Sequence, residues 1–137
     1  MTRMRNIVAA SMLVALAALT GAVDAQAATA TKRDPDGFLF VYNGIYQLDN
    51  CDQFDGNMPT WGNCANKSES LWNNGYPGNL DDVLVFWGYN YGGAWRGLYN
   101  GALLNNLSEF TFDYSNGEPG HGKPLWHNIT SSKWVNL

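Results

Sequence analysis

The chain has 137 residues and a formal net charge of −4, and its six Trp, seven Tyr and six Phe all lie between Phe38 and Trp134. From residue 31 onward six Lys and Arg stand against eleven Asp and Glu, a net −5, which argues against phosphate-backbone binding because that depends on cations displacing counterions. The roughly 107 residues after position 30 suit one domain with a modest core.

The first segment, residues 1–30, has Arg3 and Arg5, an apolar run from Ile7 to Leu19 broken only by Ser11, and then small residues. This is the pattern of a secretory signal peptide, with cleavage expected after Ala25, Ala27 or Ala30. The apolar run is shorter than the roughly 20 residues a membrane span needs. A secreted, extracellular domain over 31–137, with no membrane attachment after cleavage, is the expectation.

Beyond it, Gly, Asn and Pro interrupt the chain every few residues. Short aromatic or branched runs lie between: FLFVY (38–42), VLVFW (83–87), FTFDY (110–114) and KWVNL (133–137). Short strands between frequent turn signals predict an all-β antiparallel sandwich or barrel. The one segment with a helical tendency is 101–110. Asp81 and Asp82 read as a turn entering the strand that follows. Cys51 and Cys64, thirteen positions apart, pair in an oxidising compartment; the rival reading, two metal-ligating thiolates, lacks further ligands.

A repeat then emerges. ANKSESLW (65–72) and HNITSSKW (127–134) both read N-x-x-x-S-x-W, aligning Asn66 with Asn128, Ser70 with Ser132 and Trp72 with Trp134. LFVYNG (39–44) likewise matches VLVFWG (83–88), so each half runs from an aromatic strand to the same closing pattern. Extra length in the second half is expected in SNGEPGHGKP (115–124). Two unequal copies describe a paired motif, not a solenoid.

In FWGYNYGG, Phe86 stands seven positions before Gly93, an aromatic-to-glycine spacing that resembles the βγ-crystallin Greek key, where glycine permits a positive-φ turn folded over the ring. HNITSS is similar to that family's calcium motif. With the leader and the paired cysteines, residues 36–136 resemble the small secreted βγ-crystallin-like peptidase inhibitors, peptidase inhibitor family thirty-six, which act on metalloendopeptidases. The resemblance implies a sandwich of two Greek keys in one domain, each closing on a Trp packed into the core. The first half departs from it: Tyr42 plus seven reaches Asp49, so the first hairpin is expected to be built differently, with the disulfide replacing the missing turn.

No cofactor is required on this reading, and calcium is the one candidate. Hard cations take six to eight oxygens; the resemblance points to Glu69 and Ser131 side chains, Asn66 and Asn128, and carbonyls near Lys67 and Ile129. The alternative is that the Asn and Ser residues bond their own loops. The sequons at Asn66, Asn106 and Asn128 do not decide whether glycans are attached.

Enzymatic readings find little. His121 and His127 are the only histidines, with no H-E-x-x-H and no G-x-S-x-G. A non-catalytic protein is therefore expected. Its leading reading is a monomeric inhibitor of an extracellular peptidase, contacting it through NNGYPGN (73–79), with Tyr76 and Pro77, or through 115–124, with Glu118 and His121. A structural or calcium-binding cell-surface module is the alternative. A polysaccharide binder is the third, using Trp87, Tyr89, Tyr91, Trp95 and Tyr99, the first three placed on one strand face.

Overall fold

A computed structural model describes residues 33–137, so the leader expected over 1–30 lies outside the described residues. The described residues form seven strands: β1 Phe38–Tyr42, β2 Asn50–Phe54, β3 Ser70–Asn74, β4 Asp82–Phe86, β5 Trp95–Leu98, β6 Leu103–Leu104 and β7 Ser131–Val135. They make two antiparallel sheets, ordered β2-β1-β3-β6 and β5-β4-β7. The two halves exchange an edge. β6, from the second half, pairs with β3 of the first, and Met58, from the first, bridges Ser132 of β7 with backbone bonds of 2.8 and 3.0 Å.

Period-two alternation sets the faces. Leu39, Val41 and Leu71 of one sheet and Val83, Val85 and Leu98 of the other are buried in one apolar cluster, which Leu107, Phe112, Leu125 and Ile129 complete from the loops. Trp61 closes one side, its indole N–H donating to Ser132 Oγ at 2.8 Å.

Aromatic residues on the outer face of β1 and β3 form a second layer. Phe40 stacks on Trp72 at 5.5 Å, and Arg33 lies over the Trp72 ring. Trp72 therefore packs outside the sandwich, whereas Trp134 borders the core. Only one of the two repeat tryptophans meets the expectation of core packing. The physical reason is parity: Leu71 takes the core position of β3, so its neighbour faces away.

The helical tendency at 101–110 resolves into β6 and a single 3-10 turn, Leu107–Glu109, capped by Asn106. FTFDY forms no full strand; it pairs only through bridges of Thr111 with Pro124 and Tyr114 with Trp95. Nor do Trp87, Tyr89 and Tyr91 share a strand face. β4 ends at Phe86, and Tyr89–Tyr91 is a 3-10 turn.

That turn has a twin in the first half. Tyr46 and Asn90 have φ/ψ of 54°/38° and 51°/40°, Gln47 and Tyr91 follow at φ 60° and 62°, and Asp49 and Gly93 occupy φ 55° and 75°. In each, the glycine after the aromatic strand donates its N–H across the turn, Gly44 to Leu48 O at 3.0 Å and Gly88 to Gly92 O at 2.8 Å. A Cβ on either glycine would collide with that carbonyl. The first hairpin is thus built like the second, with Asp49 in the left-handed region that Asp tolerates better than most residues. The disulfide does not replace the turn. Cys51–Cys64, with Cα atoms 5.9 Å apart, ties β2 to the 3-10 turn Gly62–Cys64.

Candidate functional site

The hairpins are locked by serines, and these fix the true register of the repeat. Ser70 Oγ donates to Gly44 O at 2.6 Å and accepts the Gln47 N–H at 3.0 Å; Ser131 Oγ donates to Gly88 O at 2.6 Å and accepts the Tyr91 N–H at 3.1 Å. Ser70 corresponds to Ser131, not Ser132. The motifs that superpose are therefore 65–70 and 126–131, one residue away from the alignment that the shared Trp suggests.

In this register Asn66 and His127 are counterparts. Both have left-handed backbones, with φ of 59° and 56°, and they exchange equivalent bonds between motifs: Asn66 N–H to Ile129 O at 2.8 Å, His127 N–H to Ser68 O at 3.1 Å. Their side chains also cross. His127 Nε2 lies 2.9 Å from Glu69 Oε1, and the Thr130 hydroxyl lies 3.3 Å from Asn66 Oδ1 and 2.9 Å from Trp87 O. Residue two of each motif meets residue five of the other, making a two-sided clasp between the Greek keys.

The four calcium candidates are all engaged by protein partners. Glu69 is paired with His127, and Asn66 with Thr130. Asn128 stands apart, donating from its amide to Pro124 O at 2.9 Å, and the fully buried Ser131 is committed to its hairpin. Among the described residues no three His, Cys, Asp or Glu side chains gather as a metal site.

The segment after β3 presents a different geometry. Tyr76, Pro77, Gly78, Asn79 and Leu80 are all exposed, Tyr76 by 66 %. The base of this loop is held by Asn73, whose side chain is completely buried. Its Oδ1 accepts the Gly75 N–H at 3.0 Å, while its Nδ2 donates to Asp81 O at 2.9 Å and Leu98 O at 3.1 Å. One amide therefore closes both ends of the loop. Asn100 adds a bond to Gly75 O at 2.8 Å, Asp81 accepts the Gly78 N–H at 2.7 Å, and Asn136 donates to Asn79 Oδ1 at 3.0 Å. Beside the loop is a hollow of about 370 Å³, walled by Tyr76, Leu80, Trp134, Asp55 and Asn57.

Asp81 and Asp82 do mark a strand entry, with separate tasks. Asp81 closes the loop, and Asp82, the first residue of β4, accepts the Asn100 N–H at 2.9 Å and the Leu137 N–H at 2.8 Å. Sequence reasoning missed the roles of Asn73, Asn100 and Asn136. Asn73 stands near the Pro77-Gly78 turn, but Asn100 and Asn136 lie 25 and 57 positions from their partners in the loop and gave no local signal.

The second candidate loop, 115–124, is a chain of successive turns. Glu118 N–H bonds Ser115 O, His121 N–H bonds Glu118 O and Lys123 N–H bonds Gly120 O. Pro119 O accepts the Ala94 N–H at 2.9 Å, and Gly120 lies so close under the Trp87 ring that a Cβ would overlap it. Glu118 and His121 are exposed, and His121 Nε2 lies 3.2 Å from Asp113 O.

No family model matches the sequence, and no curated protein matches it. Solved structures do match. A domain from work on the evolution of the eye lens βγ-crystallin domain fold superposes with a TM-score of 0.57 and 13% identity, over 76% of this chain and 91% of that one. A βγ-crystallin from an archaeon superposes with a TM-score of 0.51 and 15% identity, over 72% of this chain and 96% of that one. With its paired hairpins, exchanged edges and two locking serines, the chain has the βγ-crystallin fold: two Greek-key motifs in one all-β sandwich.

Proposed function

We propose that this domain is a secreted, monomeric, non-catalytic inhibitor of an extracellular peptidase, and that the loop Tyr76–Leu80 is the segment it presents, with a metalloendopeptidase as its first candidate target. The observation that carries this reading is the exposed loop clamped at both ends by the buried Asn73 amide. A loop already held in one conformation gives up little freedom on binding, so more of its contact energy appears as affinity. Glu118 and His121, on the second tied loop, are the further contact candidates. The likeness of FWGYNYGG and HNITSS to motifs of secreted βγ-crystallin-like peptidase inhibitors is what suggests the partner class.

The test is titration of a thermolysin-like metalloprotease, a serine protease and a cysteine protease with the disulfide-bonded protein. Stoichiometric inhibition of one of them is expected; no inhibition of any would refute the proposal.

A second reading, a structural module, is favoured by the clasp in which Glu69–His127 and Asn66–Thr130 join the motifs directly. On either reading we infer that these side-chain bonds join the motifs with no cofactor required, calcium being the one candidate. A melting temperature unchanged by calcium is expected, and a rise that Glu69→Gln abolishes would return calcium to the account.

A further inference from the structure

β5 is an edge strand, and the segment carrying Tyr114 adds to it through a single bridge. Trp95 and Tyr114 exchange backbone bonds of 3.4 and 3.1 Å, which places their side chains together, and their rings stack at 4.3 Å with an interplanar angle of 8°. Two positions along β5 from Trp95 is Gly97, on the same face, and Tyr99, just past the end of the strand, lines the same hollow. Gly97 has no side chain of its own, and Leu137 occupies the space over it, with Cδ1 2.5 Å from where a Cβ would sit. Beside Leu137 is a hollow of about 300 Å³, walled by Trp95, Tyr99, Tyr114, Leu137 and the Arg96–Asp113 pair.

The wall has three properties that together select a ligand. It is aromatic and accessible, Tyr99 being 67 % and Tyr114 53 % exposed. Its only charged side chains, Arg96 and Asp113, neutralise each other, and Arg96 is held further by Thr111 O at 3.1 Å. Its volume is at the small end of the roughly 300–1,000 Å³ typical of ligand sites. An anionic ligand would need an uncommitted cation, which this wall does not offer. An aliphatic side chain would fill the hollow but leave the Tyr99 and Tyr114 phenols unused, along with the acceptor capacity Asp113 keeps beyond its bonds from Arg96 and the Thr111 hydroxyl.

A pyranose ring satisfies both parts, setting its C–H face on a ring and its hydroxyls against the polar rim. Tyr and Trp suit such a ligand because each joins a large apolar face to a polar edge. We propose that this hollow binds a neutral pyranose unit of a glycan, with Tyr99 and Tyr114 as the stacking residues and Asp113 as a hydroxyl acceptor. The site shares no residue with the loop Tyr76–Leu80, so the two assignments fail independently.

The test is an amide chemical-shift titration of the disulfide-bonded protein with cellohexaose and, separately, chitohexaose at millimolar concentration. Shifts confined to Trp95–Tyr99 and Asp113–Tyr114 are expected. Tyr99→Ala, at a position exposed enough to leave folding intact, should weaken binding roughly tenfold through loss of one stacking face. It should leave peptidase inhibition unchanged. Absence of shifts with both sugars, shifts elsewhere, or unaltered affinity in Tyr99→Ala would overturn the assignment. Shifts here on adding a peptidase but not sugar would also overturn it, giving the hollow to a protein partner.

Discussion

Replacing Ser131 by Ala tests whether the two hairpins share one locking device. The Ser131 hydroxyl is fully buried and makes two bonds, to Gly88 O at 2.6 Å and from the Tyr91 N–H at 3.1 Å. Alanine removes both and leaves a carbonyl and an amide short of a partner beneath the turn. A net hydrogen bond is worth about 0.5–1.5 kcal/mol and an unsatisfied buried group costs about 1–3 kcal/mol, so a loss of about 2–4 kcal/mol follows. For a domain whose total stability is about 5–15 kcal/mol, this is a large fraction. Ser70→Ala should cost the same, since Ser70 makes the twin pair of bonds. Ser132→Ala should cost less, about 1–2 kcal/mol, because its Oγ only accepts from Trp61 Nε1. Urea unfolding followed by tryptophan fluorescence gives the free energies, and hydrogen exchange at the Tyr91 and Gln47 amides shows whether the loss is local. If Ser132→Ala were the costlier change, or if Ser131→Ala left Tyr91 protected at a cost below about 0.5 kcal/mol, the register of the repeat proposed here would be wrong.

The Cys51→Ser, Cys64→Ser double variant should lose about 3 kcal/mol, as expected for opening a loop of this length, measured by urea unfolding against the oxidised protein. Asp49→Gly should raise stability by about 0.5 kcal/mol, because release from a left-handed cost of about 1–2 kcal/mol exceeds the entropy that glycine loses on folding. The reverse change, Gly93→Asp, should lower it, since a Cβ there also meets Pro119 O at 2.9 Å. Burial raises the Tyr42 hydroxyl above its usual 10.0, with Arg33 opposing and Asp36 adding to the shift. The neutral phenol is the folded form, so this contribution is intact below pH 10 and is lost as pH rises from 10.0 through the raised value. Melting temperatures across that window should fall less steeply in Tyr42→Phe than in the wild type.

The strands were readable where short aromatic or branched runs lie between turn residues. Phe38–Tyr42 forms as expected, and VLVFW and KWVNL are displaced by one or two residues. The two-motif sandwich was legible from the aromatic strands, the cysteines and the Phe86–Gly93 spacing. The repeat itself was readable but its register was not, because two tryptophans are a louder signal than two serines. In a strand a slip of one residue exchanges the faces, which is why Trp72 and Trp134 differ in surroundings despite their apparent alignment. The rule that demanded glycine at position 49 failed on a residue that accepts the same φ. Asn73 was hidden for another reason. Asparagine reads as a turn signal, and only the fold shows that this one is buried in β3 with its amide spanning a loop. Of the candidate sites, the loop with Tyr76 and Pro77 could be located in sequence, whereas the clasp joining Glu69 to His127 could not, since 58 positions separate its partners.

The inhibitor reading stands on the loop and its clamp, and the most direct measurement compares inhibition constants on one responsive peptidase for the wild type, Tyr76→Ala, Pro77→Ala, Asn73→Ala, Glu118→Ala and His121→Ala. Tyr76→Ala is expected to weaken inhibition by at least tenfold, about 1.4 kcal/mol, with the melting temperature unchanged. Asn73→Ala should weaken it while also lowering the melting temperature, because the clamp is buried. Inhibition that survives Tyr76→Ala and Pro77→Ala undiminished, or that is lost only in Glu118→Ala or His121→Ala, would contradict the assignment of Tyr76–Leu80 as the presented loop.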